Sequence, residues 1–242
     1  MLDSLKLICF LFIGHSNMCG GCAPTIADTI PHDRIYLWGD EKGFYHGTDN
    51  HLFGATSGSP VLPFLKRMAI LYPDYQFAGL KGAYSSAMVY QMVPGNEKHD
   101  LFFKRLSFAR RQATIGGVVA MYGYVEGRNQ DLAESFPRDF MRLLKEIRDS
   151  VGDPALPCIL GRYETNNLRD PELERYRTFE KIIDEKIESL QHEKNIVLAP
   201  IRTMPTAYYC EDHHYNGDGY TIFAHDAAAL YQINGFDRWF HE

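Results

Sequence analysis

Residue types able to do covalent chemistry crowd together near the start of this chain. The stretch "LICFLFIGHSNMCGGCA" (7–23) runs through apolar residues to Gly14, then sets His15, Ser16 and Asn17 in a row, with Cys19 and Cys22 beyond. A serine hydroxyl is a poor nucleophile at neutral pH and needs a base within hydrogen-bond reach. Histidine suits that task because its pKa lies near the working pH, and a carboxylate on its other ring nitrogen fixes the tautomer. The far end of the chain carries both in "CEDHHYNGDGY" (210–220): His214, with Glu211 and Asp212 just ahead of it. Two other chemistries draw on the same stretches. Cys19 and Cys22 have the spacing of a thiol redox pair, and the run 211–214 contains residue types that bind zinc. A helical H-E-x-x-H is absent and adjacent side chains rarely point at one ion, so no metal and no cofactor is expected.

Those residues need a scaffold. Leu5–Ile13 reads as a strand buried on both faces. Further strands are expected at Tyr75–Ala83, Gly116–Tyr124, Pro157–Leu160 and Asn195–Pro200. Between them fall amphipathic patterns at Pro60–Leu71, Asp100–Ala113, Phe136–Val151, Pro171–His192 and Gly219–Gln232. Strand and helix alternate throughout, which predicts one doubly wound α/β domain over residues 1–242. Its form is flavodoxin-like, with three layers and a parallel sheet of about five strands. Ligands in such sheets gather beyond the carboxyl ends of the strands, where Ser16 already lies.

Composition narrows the class. The 242 residues are 45% hydrophobic and 23% charged, as in an ordinary globular protein. A formal net charge of −6 argues against nucleic acid or an anionic membrane surface as the main partner. No run approaches the ~18 apolar residues of a membrane span. The cysteines at 9, 19, 22, 158 and 210 are odd in number, which excludes a full disulfide framework. Cys9 and Cys158 sit in apolar runs and read as buried thiols. Asp3 spoils the basic start of a signal peptide. A cytoplasmic protein and a sequence starting after a removed signal both stay open.

The block "GHSNMCGG" resembles the G-Q-S-N-M-x-G opening of the carbohydrate esterase family 6 and sialate O-acetylesterase group of the SGNH hydrolases. "VVAMYGYVEGRN" (118–129) looks like that group's V-L-W-Y-Q-G-E-S-D segment, and "CEDHHYNGDGY" like its D-D-x-H-P-x-x-x-G block. The likeness runs from residue 5 to about 232. It implies an SGNH hydrolase fold, Ser16 as nucleophile, His214 as base and Glu211, three residues before it, as the triad acid, with Asp212 the alternative. The departures are His15 for Gln, and Tyr124 and Val125 for the Gln and Gly before Glu126. A middle Gly-Gly-Thr-Ser block corresponds to "AYSSAM" (83–88), which brings in Ser85 or Ser86. His15, Asn17, Ser85, Ser86 and Glu126 are the candidates for oxyanion or substrate contacts.

What the resemblance implies is a serine esterase that removes acetyl groups from a carbohydrate, with acetylxylan favoured and O-acetyl sialic acid the other substrate of the group. A secreted or periplasmic place goes with it if a signal has been removed. Trp38, Tyr45, Tyr84, Tyr122, Tyr124, Tyr208 and Tyr209 are candidates for stacking on sugar rings. A catalytically lapsed carbohydrate-binding domain of the same fold is the main competitor, and a redox protein using Cys19 and Cys22 the second.

Overall fold

The computed structural model describes residues 6–39, 43–46, 58–162, 177–199, 206–210 and 214–240. Among them, seven strands form one sheet: β1 (Leu7–Gly14), β2 (Ile35–Gly39), β3 (Gly43–His46), β4 (Gln76–Ala83), β5 (Thr114–Met121), β6 (Cys158–Gly161) and β7 (Ile196–Leu198). Their order is β3-β2-β4-β1-β5-β6-β7. All neighbours are parallel except β2 and β3, which pair antiparallel. The five expected strands make up the run β4-β1-β5-β6-β7, a flavodoxin-like order with the first strand inside. The hairpin β2–β3 is the addition, and it extends the edge beyond β4.

The α-helices among the described residues are α1 (Ser16–Cys19), α2 (Val61–Leu71), α3 (Glu97–Ala109), α4 (Gln130–Val151), α5 (Arg177–Ser189) and α6 (Gly217–Ile233). Helix α4 starts at Gln130 rather than at Phe136 and carries Pro137 inside it. The Asn129 side chain makes the earlier start possible by accepting from the Leu132 N–H at 3.1 Å. Of the expected helix Pro171–His192, residues 171–176 lie outside the described residues. Among the described residues no helix is long and apolar enough to cross a membrane.

β1 organises both layers because its side chains alternate between two buried faces. Ile8, Phe10 and Phe12 face α2 and α6, where the Phe10 ring meets Phe64 at 4.9 Å and Tyr231 at 5.1 Å, both edge-on. Cys9, Leu11 and Ile13 face the opposite layer, with Phe102 and Leu106 of α3 and Phe136, Phe140 and Leu143 of α4. A strand with no polar face cannot sit at an edge, so β1 takes the middle of the sheet. Burial drives the Cys9 thiol above its ordinary range and the Cys158 thiol up to about 12, so both are inert apolar side chains, as expected.

Candidate functional site

Three strands end level. Gly14 of β1 is in register with Ala83 of β4 and with Met121 of β5, so the loops that follow open on one rim. Gly14 makes the exit turn: its φ is +155°, and a Cβ there would lie 2.3 Å from the Met121 carbonyl oxygen. The ladder then continues one step on each side. His15 N–H donates to Met121 O at 3.1 Å, and Tyr84 N–H donates to Gly14 O.

Ser16 begins the short helix α1 and is half-buried. Neither its N–H nor its hydroxyl has a hydrogen-bond partner among the described residues. His15 caps the turn: it is fully buried, and its Nδ1 accepts from the Asn17 N–H at 3.2 Å. In the neutral ring the proton therefore lies on Nε2. At the far end of the turn, the buried Lys81 ammonium donates to the Cys19 carbonyl.

His214 lies shortly before α6. Tyr209 pairs antiparallel with Tyr215, and Cys210 N–H donates to the His214 carbonyl at 3.0 Å. Asn216 ends this hairpin by capping α6, its Oδ1 accepting from Gly219 N–H at 3.0 Å. Residues 211–213, with the two candidate acids Glu211 and Asp212, lie outside the described residues, and so does most of the run considered for zinc.

The structure brings the two ends of the chain together around Ser16 and His214. The Tyr215 N–H donates to Asn17 Oδ1 at 3.1 Å, across 198 residues of sequence. Thus the residue after the serine is hydrogen-bonded to the residue after the histidine. The imidazole also lies on the Gly21 backbone, where a Cβ would fall 2.9 Å from the ring. Cys22 and Cys210 then form a disulfide between the same two loops. Cys19 remains a free thiol, so the C-G-G-C is not a bonded pair and the redox reading loses its basis.

Glu126 is 1% exposed, with Oε1 accepting from Val89 N–H at 2.8 Å and Oε2 from Gly123 N–H at 3.1 Å. Both oxygens are engaged by backbone, so this carboxylate braces the loop after β4 against the loop after β5. Burial raises its pKa, against the pull of those N–H donors. Ser85 and Ser86 sit exposed in the turn after β4, with Ser86 at φ +54°. Of the aromatics expected to stack on sugar, Tyr122 is 0% exposed and belongs to the core. Tyr124 is buried too, its ring 6.1 Å from that of His15, with the Arg128 guanidinium 4.2 Å above it and donating to its hydroxyl. Trp38 packs edge-on to Phe44 in the edge hairpin. Tyr84, Tyr208 and Tyr209 are half-buried on the rim loops, and the Tyr45 side chain lies outside what is described.

The sheet order and the level rim of loops define an SGNH-type hydrolase fold. Residues 6–231 match the family described as carbohydrate esterase, sialic acid-specific acetylesterase, and the chain belongs to that family. It is a carboxylic ester hydrolase of the carbohydrate acetylesterase kind. A crystal structure of an Arabidopsis thaliana protein is similar over 94% of this chain and 98% of its own, with a TM-score of 0.80 at 15% identity. NanS is similar over 94% and 97%, with a TM-score of 0.65 at 13% identity. A variant of Axe2, an acetyl xylan esterase from Geobacillus stearothermophilus, is similar over 94% of both chains, with a TM-score of 0.51 at 18% identity. At these identities the likeness is one of fold. No curated protein matches the chain.

The Glu126 brace has a pH signature. A carboxylate whose folded pKa is raised contributes stability below its unfolded pKa, about 4.3, and loses it as pH rises through the folded value. The urea midpoint of the wild type should therefore fall relative to that of Glu126→Gln as pH rises from 4 through that window, so that the gap between the two narrows. That variant should also lose about 1–3 kcal/mol overall, because one backbone N–H then faces an amide NH2. The disulfide makes a second prediction. Replacing Cys22 and Cys210 by Ser should cost roughly 2–4 kcal/mol in denaturant titrations. It should also lower ester turnover, because the His214 loop loses its covalent tie; unchanged turnover would show that the hydrogen bonds alone hold it.

Proposed function

We propose that the chain is a serine-dependent carbohydrate O-acetylesterase. Ser16 attacks the acetyl carbonyl, and His214 takes the hydroxyl proton and returns it to the departing sugar oxygen. Water then releases acetate from the acyl-enzyme, with His214 again as base. The triad acid is Glu211 in this reading, at the position three residues before the histidine, with Asp212 as the alternative. The oxyanion is held by the Ser16 N–H and an N–H of the 83–88 loop, each donor worth about 3 kcal/mol of barrier. His15 and Asn17 support the nucleophile turn from either side of Ser16.

The observation that carries this reading is the 3.1 Å bond between Asn17 Oδ1 and Tyr215 N–H, which links the neighbours of the two reacting residues. Acetylxylan is the favoured substrate, with O-acetyl sialic acid the other. The Cys22–Cys210 disulfide supports a secreted or periplasmic setting, since such bonds persist in oxidising compartments. A second reading, a lapsed carbohydrate-binding domain, draws on Tyr124. Where the family motif has an amide, this chain has a buried phenol engaged by Arg128.

Hydrolysis of p-nitrophenyl acetate, and its block by a serine-directed organophosphate, separates the two. Ser16→Ala should abolish the blocked activity and leave the melting temperature near wild type. Near-normal turnover in Ser16→Ala would remove the serine from the mechanism, and sugar binding without any hydrolysis would favour the lapsed domain. Among the acids, Glu211→Gln should cut kcat by orders of magnitude with KM little changed, and Asp212→Asn should cost much less. The reverse order would give the role to Asp212.

A further inference from the structure

Tyr220 lies in the first turn of α6 and is 1% exposed, its ring edge-on to Tyr215 at 6.0 Å. Sequence pattern alone makes it a packing residue of an apolar helix. Its hydroxyl has a more specific place. It accepts from the Gly21 N–H at 3.2 Å and donates to Asn17 Oδ1 at 3.3 Å. A phenol has one proton to give, so a hydroxyl that donates to one group and accepts from another is fixed in orientation.

The two groups it holds matter for the site. Asn17 follows Ser16 and, through the same Oδ1, receives the N–H of Tyr215, the residue after His214. Gly21 is the backbone on which the His214 ring rests. One buried hydroxyl thus touches the residue beside the nucleophile and the floor under the base, and shares its acceptor with the loop that delivers the base. We infer that Tyr220 is a positioning residue that sets the placement of Ser16 relative to His214. This rests on the reading of Ser16 and His214 given above.

Helix α6 holds its own control. Tyr231 is also 1% exposed, and its hydroxyl donates to the Gly116 carbonyl at 2.9 Å, near the start of β5 and away from the rim. Removing that hydroxyl breaks a buried hydrogen bond of the same helix without touching the site.

The test compares Tyr220→Phe, Tyr231→Phe and Ser16→Ala in the full chain. The readouts are p-nitrophenyl acetate kinetics, the rate of organophosphate labelling and thermal melting. Tyr220→Phe should lose on the order of ten- to a hundredfold in kcat, as misplacement of reacting groups does. Its KM should stay within about twofold, and labelling should slow in step with kcat. Tyr231→Phe should melt at a lower temperature with kcat unchanged. Asn17→Ala breaks the same junction from the other side. It should give the same split, and the double variant with Tyr220→Phe should be no worse than the worse single one. Wild-type kcat in folded Tyr220→Phe, a loss confined to KM, an equal loss in Tyr231→Phe or additive losses in the double variant would each overturn the inference. So would failure of Tyr220→Phe to fold, which would put the hydroxyl in the service of the core. Turnover surviving in Ser16→Ala would instead overturn the nucleophile reading, so the two failures are distinguishable.

Discussion

One side-chain oxygen, Asn17 Oδ1, joins the two ends of this chain. It accepts from the Tyr215 backbone at 3.1 Å and from the Tyr220 hydroxyl at 3.3 Å, with the asparagine fully buried. A buried amide oxygen left without donors costs about 1–3 kcal/mol, so the turn after β1 and the loop before α6 each satisfy the other. Three other features of the rim lie beside that junction. Gly14 lets the chain leave β1 toward it, His15 caps the turn that holds it, and Cys22–Cys210 ties the same loops a few residues outward. An aspartate in its place would keep the acceptors but set a buried charge against two neutral donors, a backbone N–H and a phenol, whereas an amide stays neutral.

The sheet was readable because its strands are short apolar runs without competing periodicity. β1 needs no polar face, and "LICFLFIG" offers none. The hairpin β2–β3 left no comparable trace. "IYLWG" and "GFYH" are short and rich in aromatics, β3 has a single neighbour at the sheet's edge, and β2 buries only Ile35 and Leu37 between its half-buried Tyr36 and Trp38, so neither forms a long apolar run. The start of α4 moved for a local reason, since the Asn129 cap outweighs the interruption at Pro137, while its end at Val151 is where the sequence pattern places it.

The site was legible only where its chemistry is local. Ser16 stands out because a hydroxyl follows a strand that has nowhere else to go. The partners that hold it do not stand out, because a bond between residues 17 and 215 leaves no spacing to read. Tyr220 hides in "GYTIFAHDAAALY", whose composition is that of a core helix, and its ring is indeed core. The disulfide had a faint signal. Each of the outer blocks carries a cysteine at its edge, Cys22 after the serine and Cys210 before the histidine. Glu126 is the opposite case. A carboxylate in a loop beside a site invites a chemical role, yet two backbone N–H groups account for both its oxygens.

Because the Cys22–Cys210 bond spans 188 residues, it also orders events at the ribosome. Synthesis delivers Cys19 and Cys22 early, while the intended partner of Cys22 is nearly the whole chain away. Throughout that interval the nearest thiol to Cys22 along the chain is Cys19, on the other side of two glycines. A nascent chain in an oxidising compartment is therefore exposed to a local mispairing long before the correct one exists. In the folded chain Cys19 instead packs against the apolar layer shared by α2 and α6, and α6 follows Cys210 in the sequence, so the packing that sets the two cysteines apart is completed only after Cys210 has been made. The bond that ties the two loops of the rim together can therefore close only when synthesis is almost over, and its correct partner is chosen by the finished fold rather than by nearness along the chain.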